Sequence, residues 1–152
     1  MLFRSNDAIA IVRRSAFGKT PEGKKVLKKI RELKKSGNLK YKSGLGGSRG
    51  QWGSGQISIN DSYNRDSEAT ASELVHEATH AVNEDEFPAS KAQITIDEEM
   101  RTNINQIKLY RQQRNRGFRD PELERRMKAY HKGELREDVR DRYPGVPESL
   151  PK

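Results

Sequence analysis

Cysteine is missing altogether from the 152-residue chain. That excludes a disulfide scaffold, a Cys-ligated zinc finger or ribbon, an iron–sulfur site and a thiol nucleophile. Long apolar runs are missing too. No stretch of even ten residues is continuously apolar, which excludes a membrane-spanning helix. The start of the sequence, MLFRSNDAIAIVRR, has an apolar run too short and too late for a secretory signal. Aromatics are scarce at 7%, and hydrophobic residues make up 32% against 34% charged, the polar end of the globular range. Apolar and polar patches still alternate along the chain, so one folded domain is expected rather than disorder.

The net charge of +8 is unevenly spread. Residues 1–56 hold 14 Lys and Arg against 3 Asp and Glu, and residues 101–152 hold 14 against 8. Residues 57–100 invert the balance, with 2 against 11. A basic chain prompts a nucleic-acid reading, but no recognised nucleic-acid module is visible. The acidic middle is the part that needs explaining.

Ala8–Val12 is apolar and β-branched, and predicts a strand. Thr20-Pro21 predicts a helix start, followed by the stripe Val26, Leu27, Ile30 and Leu33 and an end at Ser36-Gly37-Asn38. Leu39–Lys42 alternates as a second strand. Residues 43–55, with six glycines, predict a flexible loop, read as a flap carrying Trp52. Gln56–Asn60 predicts a third strand with Ile57 and Ile59 on one face. A long helix capped by Asp66 or Ser67, with a further capping-box match at Thr70 and Glu73, is expected to end near Asn83, because Glu84-Asp85-Glu86 suits a C-terminus poorly. Residues 87–96 predict a loop. Asp97 then caps a helix to about Arg116, and Asp120-Pro121 starts a last helix to about Tyr143. The order predicts an α+β domain over residues 1–143, a small sheet packed with helices, followed by a loose tail at 144–152.

Within the long helix lies His76-Glu77-Ala78-Thr79-His80, an H-E-x-x-H motif. Residues i and i+4 share a helical face, with Cβ atoms about 5–6 Å apart, so both imidazoles can reach one metal ion. Glu77 follows the first histidine, the position of a general base that takes a proton from the metal's water. Shuffling this composition yields the motif by chance in roughly 0.4% of sequences. A third ligand is needed for a catalytic zinc. His131 is the only other histidine and lies far off in a Lys/Arg-rich helix. Glu86 and Asp85 lie close behind His80, while Glu98 and Glu99 open the next helix, where a loop and a return can bring a carboxylate to the metal. The spacing favours that second pair.

These features resemble the zincin metallopeptidases, gluzincin type. His76-Glu77-Ala78-Thr79-His80-Ala81 followed by Glu98-Glu99-Met100-Arg101-Thr102 is similar to the NleD-like bacterial effector and toxin peptidases and the clostridial neurotoxin light chains. The resemblance covers roughly residues 56–116. Ala78-Thr79 replaces the usual bulky apolar pair, and the gap between the motifs is shorter than in the neurotoxins. It implies one Zn2+ per chain held by His76, His80 and Glu99, with Glu98 behind them or as the alternative ligand. It implies Glu77 as the base in peptide-bond hydrolysis of a protein substrate. It also implies a strand edging the cleft to pair with substrate, matched by Gln56–Asn60, and an Arg-x-x-Tyr transition-state stabiliser, matched by Arg140 and Tyr143. Arg101, Tyr110 and Tyr130 remain alternatives for that role.

The expected function is therefore a zinc endopeptidase of effector or toxin type. An immunity or inhibitor protein is a candidate partner for the Lys24–Lys35 face, with no membrane partner. Two alternatives stand beside it. One is a basic nucleic-acid-binding helical protein with an incidental motif, the other a regulatory peptidase that cleaves a repressor. Synthesis in the cytoplasm is expected, with any secretion or delivery independent of a cleavable signal.

Overall fold

The structure is a computed structural model describing residues 2–63 and 66–151. Among the described residues there are seven α-helices and one three-stranded sheet, a mixed α+β arrangement. Helices α1 (Leu2–Arg14), α2 (Ala16–Lys19) and α3 (Pro21–Lys35) precede strands β1 (Leu39–Lys42), β2 (Gly50–Gly53) and β3 (Gln56–Asn60). Then come α4 (Ser67–Glu86), a 3-10 turn (Pro88–Lys91), α5 (Ile96–Asn115), α6 (Pro121–His131) and α7 (Leu135–Arg142). No described helix is long and apolar enough to cross a membrane.

Ala8–Val12 is helical, not a strand. Its β-branched run hides a helical stripe: Ser5, Ala8, Ile9 and Val12 fall at helical spacing and are all buried. Ala8, Ile9 and Val12 join Val26 and Ile30 of α3, Ile57 and Ile59 of β3 and Leu74 of α4 in one apolar cluster. Thr20 caps α3 as its sequence predicts, accepting from the Gly23 N–H at 3.0 Å.

The glycine-rich segment is not wholly loop. Gly50–Gly53 forms β2, antiparallel to β3, through a two-residue turn in which Ser54 and Gly55 both have positive φ. Such turns match the natural twist of a hairpin. β1 pairs with β3 in parallel, giving the order β1-β3-β2. β3 is thus central, and the edge strand beside the cleft next to α4 is β2 rather than Gln56–Asn60.

Helix α4 contacts α1, α3, α5, β2 and β3. Asp66 caps it, accepting from Ala69 N at 2.7 Å. Thr70 lies inside the helix and donates to Asp66 O, so it is not a second cap. The helix runs past Asn83 to Glu86 because tertiary cations answer its acidic end. Asp85 meets Lys29 at 2.5 Å, and Glu86 meets Lys25 at 2.9 Å and Arg101 at 3.0 Å.

Helix α5 is capped by Thr95, not Asp97, with the Glu98 N–H donating to Thr95 Oγ1 at 3.1 Å. Asp97 pairs with Arg136 instead. The last expected helix is two, α6 and α7, divided at Lys132-Gly133-Glu134. Residues 144–151 carry no helix or strand, but they are tied down: Pro147 and Glu148 carbonyls accept from Ile96 and Asp97 N–H at 2.9 and 3.0 Å. Ile96, Ile107, Tyr110, Leu123 and Val139 build a second apolar cluster around α5, α6 and α7.

Candidate metal centre

A cleft of about 900 Å³ opens between the β2–β3 hairpin and α4, with α5, α6 and Tyr143 at its walls. Gly50 lets the hairpin close over it. A Cβ there would stand 2.9 Å from Glu73 Cγ and 3.2 Å from the Ser58 carbonyl, so a side chain would force Glu73 or the strand to shift.

His76 and His80 project into the cleft from one face of α4, with ring centroids 5.1 Å apart. Each ring is held through Nδ1. His76 Nδ1–H donates to Gln106 Oε1 at 2.9 Å, and Gln106 Nε2 donates onward to Ser72 Oγ and Ser72 O at 3.1 and 3.2 Å. His80 Nδ1–H donates to Glu98 Oε2 at 2.5 Å. His76 Nε2 is thereby left for a ligand, and His80 Nε2 becomes one when a metal displaces its proton, the arrangement that metal-binding histidines take when an outer oxygen fixes the ring.

Glu99 supplies the third donor. Its Oε1 lies 3.3 Å from His80 Nε2, and one ligand atom from each of His76, His80 and Glu99 falls within 4.8 Å of the others. This group could hold a metal ion. The donor chemistry fits: two imidazole nitrogens and one carboxylate, largely buried, with the imidazoles already oriented. Thr102 Oγ1 donates to Glu99 O at 2.9 Å, and Asn103 Nδ2 to the same oxygen at 2.6 Å. Glu98 stands behind His80, and its other oxygen, Oε1, is buried without a partner among the described residues.

Electrostatics sort these groups. Burial, with the charge of His80, pushes His76 down to about 3, so it is neutral and its Nε2 lone pair is free. Burial alone would lower His80 as well. The bond to Glu98 and the charges of Glu99 and Glu77 outweigh it and carry His80 up to about 9. Glu77 is buried, with Oε1 3.7 Å from His76 Nε2. Burial pushes Glu77 up, and the charge of Glu73 one turn earlier adds to this. Burial likewise raises Glu73.

The remaining expected residues divide. Tyr143 lines the cleft, and burial with the charge of Glu99 pushes its hydroxyl up to about 12. Arg140 does not line it. Its side chain is 49% exposed and pairs with Glu148 of the tail. Arg101 is turned to the α3 side, with Nε and Nη2 on Glu22 at 2.7 and 2.9 Å and Nη1 on Asn83 at 3.1 Å. Tyr110 is buried and donates to Glu124 at 2.8 Å. Tyr130 packs on the second apolar cluster, and His131, Asp85 and Glu86 lie outside the donor group.

Three participants have no local signature. Gln106 sits in the middle of α5 with no motif around it. Arg126, also in the cleft wall, sits in a basic stretch where any arginine looks alike. Glu73 had only its capping-box reading with Thr70, which does not point to the cleft. No known protein family, curated protein or solved structure matches the chain.

Proposed function

We propose that this protein is a zinc-dependent endopeptidase of zincin-like organisation, with His76, His80 and Glu99 holding the metal. The observation that carries this reading is the convergence of those three donors in a large cleft with buried Glu77 beside them. When bound, zinc supplies Lewis acidity toward a water and a peptide carbonyl. Glu77 takes a proton from the water at its carboxylate and returns it to the departing amine nitrogen. Its burial favours this, because a carboxylate with raised proton affinity can both accept and release a proton near neutral pH. Tyr143, protonated at neutral pH, donates toward the oxygen on which negative charge develops. The free edge of β2 offers backbone N–H and C=O groups to an extended peptide. The likeness of residues 76–81 and 98–102 to effector and toxin peptidases makes a delivered enzyme the favoured context.

The test joins metal content to activity. Mass spectrometry of protein purified without chelator should find about one zinc per chain, lost in His80→Ala. Cleavage of a mixed protein substrate should fall by about 10²–10⁴ in Glu77→Gln, with zinc retained. Wild-type protein that takes up no zinc when it is offered, or Glu77→Gln that still cuts at the native rate, would sink the proposal.

A further inference from the structure

The cleft has a second polar centre, set back from the donor group. Arg126 reaches it from α6 and is only 14% exposed. Its Nη2 meets Glu122 Oε1 at 3.1 Å, and its Nη1 stands 3.4 Å from Gln106 Oε1, a long and weak contact. Its Nε is buried and has no hydrogen-bond partner among the described residues.

Counter-charge around it is thin. Glu122 Oε1 also accepts from Arg125 Nη2 at 3.1 Å, so that oxygen is shared between two guanidinium groups. Arg142, whose charge acts on Arg126, is already engaged by Asp138 at 3.0 Å and Asn103 Oδ1 at 3.0 Å. Glu73, which feels the Arg126 charge, is pushed toward its neutral form by burial. Burial, with Arg142 close by, pushes Arg126 below the ordinary arginine range.

A desolvated guanidinium with an unused donor is unfavourable by itself. Its planar fork is matched best by a carboxylate, which accepts two parallel N–H bonds. Its position further defines the ligand. Gln106 Oε1 bonds the Nδ1 side of His76, away from the Nε2 that faces the donor group. Arg126 therefore stands behind His76, where it would meet a group flanking the reacting bond rather than the reacting oxygen itself.

Resting on the peptidase reading, we propose that Arg126 is the carboxylate-binding residue of the cleft, receiving an acidic side chain or the terminal carboxylate of a bound peptide. Glu122 yields its shared oxygen to Arg125 as the ligand carboxylate arrives.

Three pools of N-acetylated octapeptides with randomised flanks test this on immobilised, zinc-loaded Glu77→Gln protein. The first has a central Glu and an amidated end, the second a central Gln and an amidated end, the third a central Gln and a free C-terminus. Retention is read by mass spectrometry. One carboxylate pool should be retained about tenfold over the Gln amide pool. Adding Arg126→Gln should abolish the difference, and adding Arg126→Lys, which keeps charge but not the fork, should reduce it. Preference for the first pool assigns an acidic side chain, and preference for the third assigns the chain end. No carboxylate preference, or one unchanged in both Arg126 variants, overturns the proposal. Thermal melts followed by circular dichroism identify any variant that fails to fold, and the folded one then decides. The native Glu77 protein is given the same pools in parallel. Carboxylate-selective retention without cleavage would remove the peptidase reading and leave the Arg126 site standing, whereas cleavage without carboxylate preference would do the reverse.

Discussion

Helices α3 and α5 both pack against α4, yet they bury faces of different chemistry. α3 buries Val26, Leu27, Ile30 and Leu33, so that interface is stabilised simply by removing apolar area from water, at about 25 cal/mol per Å². α5 buries Glu98, Glu99, Thr102, Asn103, Asn105 and Gln106. Polar groups out of water need partners, and most of these have them. Asn105 Nδ2 bonds Thr79 Oγ1 and Glu22 Oε2 at 3.1 and 3.0 Å, while Gln106 and Glu98 take the two imidazoles. The aliphatic interface secures the position of α4. The polar one orients what α4 carries, and the two roles should separate experimentally.

The largest expected effect tests the aliphatic side. Ile30→Ala empties a fully buried site and should cost about 2–5 kcal/mol in urea unfolding, while the folded protein keeps its full zinc content. Zinc loss from folded Ile30→Ala would break the comparison.

On the polar side, Gln106→Leu preserves bulk but removes the acceptor that holds His76 Nδ1. Zinc affinity, measured by competition with a chromophoric chelator, should fall about 10–100-fold, and unfolding should change less than in Ile30→Ala. Unchanged affinity would mean that the ring is oriented by packing alone.

The smallest effect sharpens the boundary between the two interfaces. Glu22, in the first turn of α3, is held down to about 2, chiefly by its hydrogen bonds from Arg101 against an opposing effect of burial. Its folded pKa lies below the unfolded value of 4.5, so its stabilisation is complete above about pH 4.5 and is lost as pH falls from there toward 2. Its side chain is 26% exposed. After discounting for solvent screening, Glu22→Gln should cost about 1–2 kcal/mol at pH 7. The gap to wild type should close in unfolding curves taken near pH 2.5. A gap independent of pH would assign the effect to packing.

What could be read from the chain follows the same division. The stripe and cap of α3 and the H-E-x-x-H face of α4 were visible because their patterns repeat within a few residues. The helical stripe of α1 was masked by the β-branched run Ala8–Val12, and β2 by the glycines around it. Asn105 and Gln106 drew no assignment, because nothing local distinguishes a polar side chain in water from one bonded to a helix distant in sequence. Arg140 and Tyr143 shared a spacing pattern, but only Tyr143 faces the cleft; the tail carboxylate of Glu148 engages Arg140.

The sequence by itself determined the imidazole pair with its adjacent carboxylate, since one turn of helix fixes residues i and i+4 on a common face whatever surrounds them. Tertiary structure decided everything that depends on distance through space: Glu99 beside His80 Nε2, Glu98 and Gln106 behind the rings, and Arg126 in the wall of the cleft. The turn after α4 and the docking of α5 set those distances, and burial there lowers the proton affinity of His76 and raises that of Glu77.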